Sequence, residues 1–589
     1  MSKDESIVSD LSCWAMAAVF VLGLLVLAVK LREVQVDDAA DYNYANARQS
    51  IRRVQTDGVR GRILDRNGAL LAANRRSLSI VCDAQAFQRR TWAATVTAIR
   101  EAIDDVARVI GTPSTLTDRA IHRHVNQMLA MPLVAWRDVD FGLLARFSEH
   151  ERDFPGFSCQ ETCERVYPNG SLAAHLLGYV GKDRGEGNSG DEKFNFYYPE
   201  MRGRSGLEAY YDSFLRGVSG ERNVLVDARG FAIHGWTVVE SQQGPDLHLT
   251  LDLGIQAVVE RELRGCRGAC VVLDPRNGAV LAMASAPTFD PNAFVPMLSQ
   301  DLYDRLAQDP QKPLLNRASG GAYAPGSTFK PITALAGLDS GVSDRTEYDC
   351  SGVFVCGRMH LHCARRWGHG PLDMRMALKE SCNAYFCHLG TVVGTNGVIA
   401  AARALGLGAK TGIDLGVDMS GTVPDAEWKR QVYHEPWYPG DLPQMSIGQG
   451  MLLASPLQMA RVAAAIGTGY LTVPHLKADL VAPRQILPFT ARQLKVVRDG
   501  MRMVVDGGTG RRGGSDLAVS VSGKTGTAEV GVGERRRKNT WFIAYAPSEM
   551  PAIAVAMVIE NGDSGGGTTA PKVRNVLAHV FGVAGGRHD

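Results

Sequence analysis

Ala269-Cys270-Val271-Val272-Leu273-Asp274-Pro275, then Asn277-Gly278, then Ala279 to Ser285 is the stretch from which the fold is read. A short apolar run bounded by Asp-Pro reads as a buried strand, and Asn-Gly supplies a tight hairpin turn into a return strand. Just upstream, Leu247-His248-Leu249-Thr250-Leu251 alternates apolar and polar residues, and Gly254 to Leu263 reads as helix. Downstream, Pro456 to Ile466 has helical spacing, while Asn539 to Tyr545 and Ala552 to Ile559 read as strands. Together these predict a sheet with helices on both faces, an α/β (α+β) domain spanning 245–585.

Before that domain, 32–244 mixes short β-branched runs with charged, turn-rich text, which predicts an extended, strand-containing pedestal. Its segment from Lys182 to Lys193 has no apolar side chain and reads as a polar loop. No self-similar period occurs, which excludes a solenoid or propeller. With 589 residues the chain exceeds one hydrophobic core, so a multidomain protein is expected.

Leu11 to Leu31 is apolar apart from Ser12 and Lys30, long enough for one transmembrane helix after a short tail at 1–10. The competing reading is a cleaved signal peptide, but the run is long for one, and the small-residue site Ala45-Asn46-Ala47 lies far beyond it. Asp4, Glu5 and Asp10 precede the helix while Lys30 and Arg32 follow, so charge does not set the orientation. Sixty-four Lys and Arg against 62 Asp and Glu leave a formal charge of +2, which argues against nucleic acid as a partner.

The chemistry centres on Ala324-Pro325-Gly326-Ser327-Thr328-Phe329-Lys330-Pro331. Pro-Gly breaks the chain before Ser327, and a helix starting there puts Ser327 and Lys330 on one face at i, i+3. A serine hydroxyl needs a base to take its proton, and a lysine kept neutral by burial or a second cation serves. Alone, Ser-x-x-Lys is a weak signal whose bland reading is an exposed helical pair. Two later elements give it weight: Ser381-Cys382-Asn383 and Ser522-Gly523-Lys524-Thr525-Gly526-Thr527. Lys524 supplies a cation for a substrate carboxylate, Thr525 and Thr527 supply hydroxyls, and Gly526 permits close backbone approach. Ser381 relays a proton, Asn383 bonds both the lysine and a substrate amide, and the N–H groups of Ser327 and Thr527 are the expected oxyanion hole.

Ser-x-x-Lys, Ser-x-Asn and Lys-Thr-Gly in this order make the chain resemble the class B penicillin-binding proteins over nearly its whole length. Cysteine replaces the aspartate of the middle motif. Arg60-Gly61-Arg62-Ile63-Leu64-Asp65-Arg66-Asn67-Gly68 with Leu71-Ala72 resembles the family's first pedestal motif. So do Arg165-Val166-Tyr167-Pro168, Gly203-Arg204-Ser205-Gly206-Leu207-Glu208 with Tyr211-Asp212, and, in the catalytic half, Met445-Ser446-Ile447-Gly448-Gln449-Gly450. The bifunctional members' glycosyltransferase region is not found ahead of the pedestal.

The resemblance implies a D,D-transpeptidase anchored in the bacterial inner membrane, single-pass, with its catalytic domain in the periplasm. Ser327 would attack a peptidoglycan stem peptide, D-alanine would leave, and a neighbouring stem's amine would take the acyl group. β-Lactams would acylate Ser327. The alternatives are a β-lactamase or D,D-carboxypeptidase, against which the long pedestal argues, and a scaffold that activates a SEDS-family (RodA-like) glycosyltransferase.

Between the first two motifs lie Cys350, Cys356, His360, His362, Cys363 and Trp367-Gly368-His369-Gly370, with Cys382 inside the second. Three thiolates and one imidazole make a closed tetrahedral zinc site of structural type. The elongation-type (penicillin-binding protein 2) branch of the family resembles this stretch, which implies Cys350, Cys363, His369 and Cys382 as ligands, a lateral-wall and cell-shape role, and no organic cofactor. Cys356, His360 and Cys387 are alternative ligands. The competing reading is a disulfide, for instance Cys350 with Cys363 or Cys356, and Cys159/Cys163 and Cys266/Cys270 are further candidate bridges.

Overall fold

The computed structural model describes residues 4–39, 50–56, 58–127, 131–182, 195–197, 201–227, 229, 231–295, 298–531 and 537–582. The polar stretch after Lys182 falls outside them. The apolar N-terminal run forms one helix, Asp4–Arg32, so that residues 4–10 of the expected tail are helical. It continues as a π-helical turn, Glu33–Asp37. The stretch Ser12–Asp37 has a mean hydropathy of 2.5 and its apolar window is not buried against the rest of the protein, which fits a bilayer span by length and composition.

The pedestal contains the strands expected, and helices pack against them. Leu70–Cys82 pairs with both Leu133–Trp136 and Phe157–Val166. Trp92–Ile110 is a helix opened by Thr91, whose side chain accepts from Ala94 N–H, and closed by Gly111 in the left-handed region. Its buried residues Thr95, Ile99, Ile103, Val106 and Ile110 recur at helical spacing against the sheet.

Strand geometry overturns two proposed disulfides. Cys159 lies opposite Ile80 and Cys163 opposite Arg76, which places these cysteines about 13 Å apart along one extended strand. Cys270 is buried in a central strand, four extended residues from Cys266. All described cysteines are free thiols.

The pedestal motifs converge on one buried charge cluster. Glu208 is fully buried and accepts from Arg60 Nε at 2.6 Å and Arg165 Nε at 2.7 Å. Arg60 Nη1 also donates to Asp212 at 2.7 Å, and Tyr167 OH donates to Glu208 at 3.3 Å. A buried carboxylate persists in low dielectric when its partners surround it. Tyr167 and Tyr211 tie this cluster to the next domain: Asn292 Oδ1 accepts from Tyr167 N–H at 2.9 Å, and Asp414 Oδ2 accepts from Tyr211 OH at 2.6 Å.

The catalytic half opens with α1 (Leu253–Leu263) and strands β1 (Arg267–Leu273) and β2 (Val280–Ala286). Helices α2 (Lys330–Asp339), α3 (Asn383–Val393), α4 (Pro456–Thr468) and α5 (Ala491–Gly507) follow. Strands β3 (Ser522–Val530), β4 (Arg537–Ala546) and β5 (Ile553–Glu560) and helix α6 (Ala570–Val580) complete it.

The sheet runs in the order β2-β1-β5-β4-β3, antiparallel throughout. Alternate residues serve opposite faces. Val271, Trp541, Ile543, Ala556 and Val558 join one core with α4, whereas Cys270, Val272, Phe542, Val555 and Met557 join another with α1 and α6. Burial on both faces explains why these strands read as apolar runs, each fully buried Val, Ile or Phe contributing roughly 1.5–3 kcal/mol. β3 stands at the sheet's edge, with one backbone rim available to a ligand.

Candidate active site and metal centre

The nucleophile turn is a 3-10 turn, Gly326–Phe329, which passes into α2 at Lys330. The expected helix start is therefore shifted, and in this tighter turn, where residues i and i+3 eclipse, Ser327 and Lys330 keep to one face. Pro331 sits in the first turn of α2, where no N–H partner is lost. Gly326 has φ +55, and its N–H donates to Gly448 O at 2.7 Å. A side chain on Gly448 would meet Gly326 O at 2.0 Å. Trp541 Nε1 donates to Ala324 O at 3.0 Å, fastening the turn to β4.

Lys330 is fully buried. Its Nζ donates to Ser381 O and Asn383 Oδ1, each at 2.6 Å, and to Ser381 Oγ at 3.3 Å. Burial lowers its pKa to about 8, with nearby thiols Cys382, Cys363 and Cys387 pulling the other way when ionised. Lys524 is also fully buried; its Nζ donates to Ser381 Oγ at 2.8 Å and Thr525 O at 3.1 Å. Burial, then the neighbouring Lys330 cation, holds its pKa well below the usual lysine value.

Ser381 carries the strain of this arrangement, with φ +56 in a region that side chains avoid. Cys382 is the N-cap of α3, its Sγ accepting from Tyr385 N–H. Asn383 is oriented from its other end by Nδ2 donation to His362 O at 2.7 Å. Thr525 Oγ1 meets Thr509 Oγ1 at 2.7 Å, and Thr527 Oγ1 accepts from Gly565 N–H at 3.3 Å. Gly526 packs closely enough that a Cβ there would lie 2.9 Å from Pro325 O, so β3 runs directly beside the nucleophile turn.

The structure thus brings Ser327, Lys330, Ser381, Asn383 and the Lys524–Thr527 run to one place. His362, Thr509, Gly448 and Gly565 are the supports that sequence reasoning missed; Gly448 alone had a signal, inside its quoted motif.

Cys350, Cys363, His369 and Cys382 also converge, their ligand atoms all within 4.8 Å of one another. Cys350 Sγ is 3.7 Å from Cys363 Sγ and 3.4 Å from His369 Nδ1, and Cys363 Sγ is 3.7 Å from Cys382 Sγ. Zn–S bonds of about 2.3 Å at tetrahedral angles separate sulfurs by about 3.8 Å, so the set fits such an ion. A disulfide, at about 2.05 Å, does not fit these separations. Backbone N–H groups of Gly352, Ala384 and Tyr385 point at the three sulfurs at 3.4 Å each, as suits thiolates. Hydrogen bonding from Cys382 holds the Cys363 thiol below its usual value, Ala384 N–H acting the same way, while the same bond pushes Cys382 up. Cys356 Sγ instead faces Pro439 O, Cys387 Sγ faces Pro443 O, and His360 is exposed, so none of the alternative ligands joins the set.

Residues 268–578 match the penicillin binding protein transpeptidase domain, and residues 55–249 the penicillin-binding protein dimerisation domain. The chain is 32% identical over 608 residues to the peptidoglycan D,D-transpeptidase MrdA of Escherichia coli K12, covering 96% of this chain and 94% of that protein. It is similar to the Helicobacter pylori penicillin-binding protein PBP2 solved in complex with MreC, at TM-score 0.78 and 26% identity over 91% of this chain and 99% of that one. A further similar chain comes from a peptidoglycan synthase complex described as coordinating polymerization and crosslinking. It has TM-score 0.73 and 30% identity, covering 98% of this chain and 99% of that chain.

Proposed function

This chain belongs to the penicillin-binding protein transpeptidase family, and from that premise we propose how its residues cross-link peptidoglycan. It is a serine D,D-transpeptidase of the elongation type, acting in cell-wall synthesis and cell shape. The observation that carries the residue assignment is the pair of long-range links, Lys330 to Ser381 and Asn383 and Lys524 to Ser381, which join three sequence motifs into one site.

In its neutral form, brought within reach by burial that lowers its pKa to about 8, Lys330 takes the proton of Ser327 Oγ as that oxygen attacks the stem-peptide carbonyl. The N–H groups of Ser327 and Thr527 hold the oxyanion. Ser381, between the two lysines, passes the proton to the departing D-alanine amine. The amine of a second stem peptide then attacks the ester, its proton returns along the same route, and Ser327 is regenerated. Lys524 is buried beneath Ser381, so direct contact with the substrate carboxylate falls to the Thr525 and Thr527 hydroxyls, with Lys524 supplying field and relay. β-Lactams enter as mimics of the same carbonyl.

The fitted Cys350–Cys363–His369–Cys382 set is assigned to a structural zinc ion. When bound it supplies rigidity, fixing Cys382 and hence the flanking Ser381 and Asn383, and no organic cofactor is needed. The domain division assigned is 1–10 tail, 11–31 span, 32–244 pedestal and 245–585 transpeptidase. The helix anchors the chain once in the plasma membrane, with the catalytic half on the periplasmic side where the substrate lies. A SEDS-family, RodA-like glycosyltransferase is the assigned partner, supported by similarity to the synthase-complex chain. Labelling with a fluorescent penicillin tests the reading: a persistent label on wild type and none on Ser327→Ala supports it. Label on Ser327→Ala overturns the nucleophile, and rapid loss of wild-type label indicates a hydrolase.

A further inference from the structure

The segment between the first two candidate zinc ligands, Cys350 and Cys363, and the third, His369, does more than connect them. Val353–Cys356 and Met359–His362 form a hairpin in the register Val353 to His362 and Val355 to His360. Phe354 and Leu361 face the core, which leaves Val355, His360 and His362 exposed on the outer face. Its inner end borders the catalytic group, because His362 O is the acceptor that orients Asn383.

Beyond Cys363 runs Ala364-Arg365-Arg366-Trp367-Gly368, and Trp367 is 84% exposed. A lone surface tryptophan is ordinary, but this one sits on a tightly pinned loop. Cys363 N–H donates to Gly352 O at 2.9 Å, Gly368 N–H to Arg365 O at 3.2 Å and His369 N–H to Cys350 O at 3.0 Å. Gly352 and Gly368 have φ of +95 and +92, and side chains there would strike Arg366 O at 2.2 Å and Cys350 O at 2.1 Å. The backbone is thus built to hold this loop in one shape while leaving the indole in water.

Charge gives the occupant. No acidic residue lies between Asp349 and Asp373, whereas Arg358, Arg365, Arg366, His360, His362 and His369 all do. Arg358, Arg365 and Arg366 are exposed, and among the described residues none of the three forms an ion pair. An exposed aromatic directly following two exposed arginines, in a stretch of chain without acidic residues beside the relay, complements a ligand with carboxylates and flat apolar sugar faces.

We propose that this lobe is a docking face for the peptidoglycan strand itself, with Arg365 and Arg366 taking stem-peptide carboxylates and Trp367 stacking on the glycan. It rests on the transpeptidase reading above and adds to it a subsite outside the reacting carbonyl. A small β-lactam reaches Ser327 without touching the face; a polymeric strand lies across it.

The test uses full-length protein with Trp367→Ala and with Arg365→Ala/Arg366→Ala. Zinc content, the rate of labelling by fluorescent penicillin, and binding and cross-linking of uncross-linked glycan strands are measured in parallel. Penicillin labelling and zinc content are expected within about twofold of wild type, with strand cross-linking reduced about tenfold or more, as for loss of aromatic and arginine anchors. Raised salt is expected to narrow the gap between wild type and the arginine variant. Unchanged cross-linking overturns the proposal. Parallel loss of penicillin labelling overturns it too, as disturbance of the relay. A defect that appears only with a partner protein present, strand binding being intact, assigns the face to that protein and likewise overturns it. Failure of wild type to label at all would instead strike the underlying transpeptidase reading.

Discussion

Lys524 Nζ donates to Ser381 Oγ at 2.8 Å, although the two residues lie 143 positions apart and on different elements. From the other side Lys330 Nζ reaches the same oxygen at 3.3 Å. Ser381 is therefore a hydroxyl placed between two buried lysines, and Lys524, held low first by burial, is easier still to keep neutral because Lys330 is there. Its left-handed backbone is the conformational cost of that placement, and it is stabilised by the elements on either side.

The two-lysine arrangement predicts a pH profile. Lys330 acts as base only when neutral, and its pKa is lowered to about 8 by burial. The second-order rate of penicillin acylation is expected to rise about tenfold per pH unit below that value and to level off above it. Rapid-mixing kinetics from acid to alkaline pH check this. A flat profile would show that another group takes the serine proton.

Gly448 tests the turn. Its φ of +74 disfavours any side chain, and a Cβ would press on Gly326 O at 2.0 Å. Gly448→Ala is expected to lose about 1–3 kcal/mol of stability from the strained backbone and to slow acylation more than the stability loss explains. Denaturant unfolding and labelling kinetics, measured on one preparation, separate the two effects. Wild-type labelling in the variant would remove Gly448 from the support of Ser327.

The sheet and the motif residues were legible in the sequence because local text encodes them: apolar strands, an Asn-Gly turn, and short motifs whose residue types belong to one chemistry. The long-range supports were not. Nothing in His362 announces that its carbonyl orients Asn383, because any residue offers the same carbonyl. Lys524 read as a cation facing substrate, yet the strand directs it inward beneath Ser381, since a side chain's face depends on a pairing partner that sequence does not name. The helix Trp92–Ile110 carries its periodicity in Thr95, Ile99, Ile103, Val106 and Ile110, set within charged text that masks it. For the cysteines, composition left zinc and disulfide open, and the sulfur separations of 3.7 Å are wider than a Cys350–Cys363 disulfide allows.

The pedestal cluster predicts separable stability. Glu208 is fully buried between Arg60 and Arg165, so Glu208→Gln takes the counter-charge from Arg165 and leaves Arg60 with Asp212. Breaking such a buried arrangement is expected to destabilise the pedestal by about 3–5 kcal/mol. Penicillin acylation at 25 °C is expected to persist, because Ser327 lies in the other domain. Calorimetry alongside labelling checks both halves. Loss of acylation at a temperature where the fold is intact would mean that the cluster also sets the active site.

Metal removal gives the sharpest test of the relay. Cys382 lies between Ser381 and Asn383 in the chain and opposite Cys363 in space, 3.7 Å from sulfur to sulfur. Cys363→Ser weakens one ligand without touching a residue that bonds Lys330. It is expected to lower bound zinc well below about one ion per chain and to slow acylation roughly 10–100-fold, as when the groups holding a centre's geometry are altered. Cys356→Ser, whose sulfur faces Pro439 O, is expected to keep both zinc and rate. Metal analysis, thiol counting and labelling of the three proteins discriminate the outcomes. Zinc retained in Cys363→Ser removes that ligand. Zinc lost with full acylation uncouples the ion from Ser381 and Asn383, and would leave the strained Ser381 backbone to be held by its own N–H bond to Leu378 O and by Lys330 Nζ on its carbonyl.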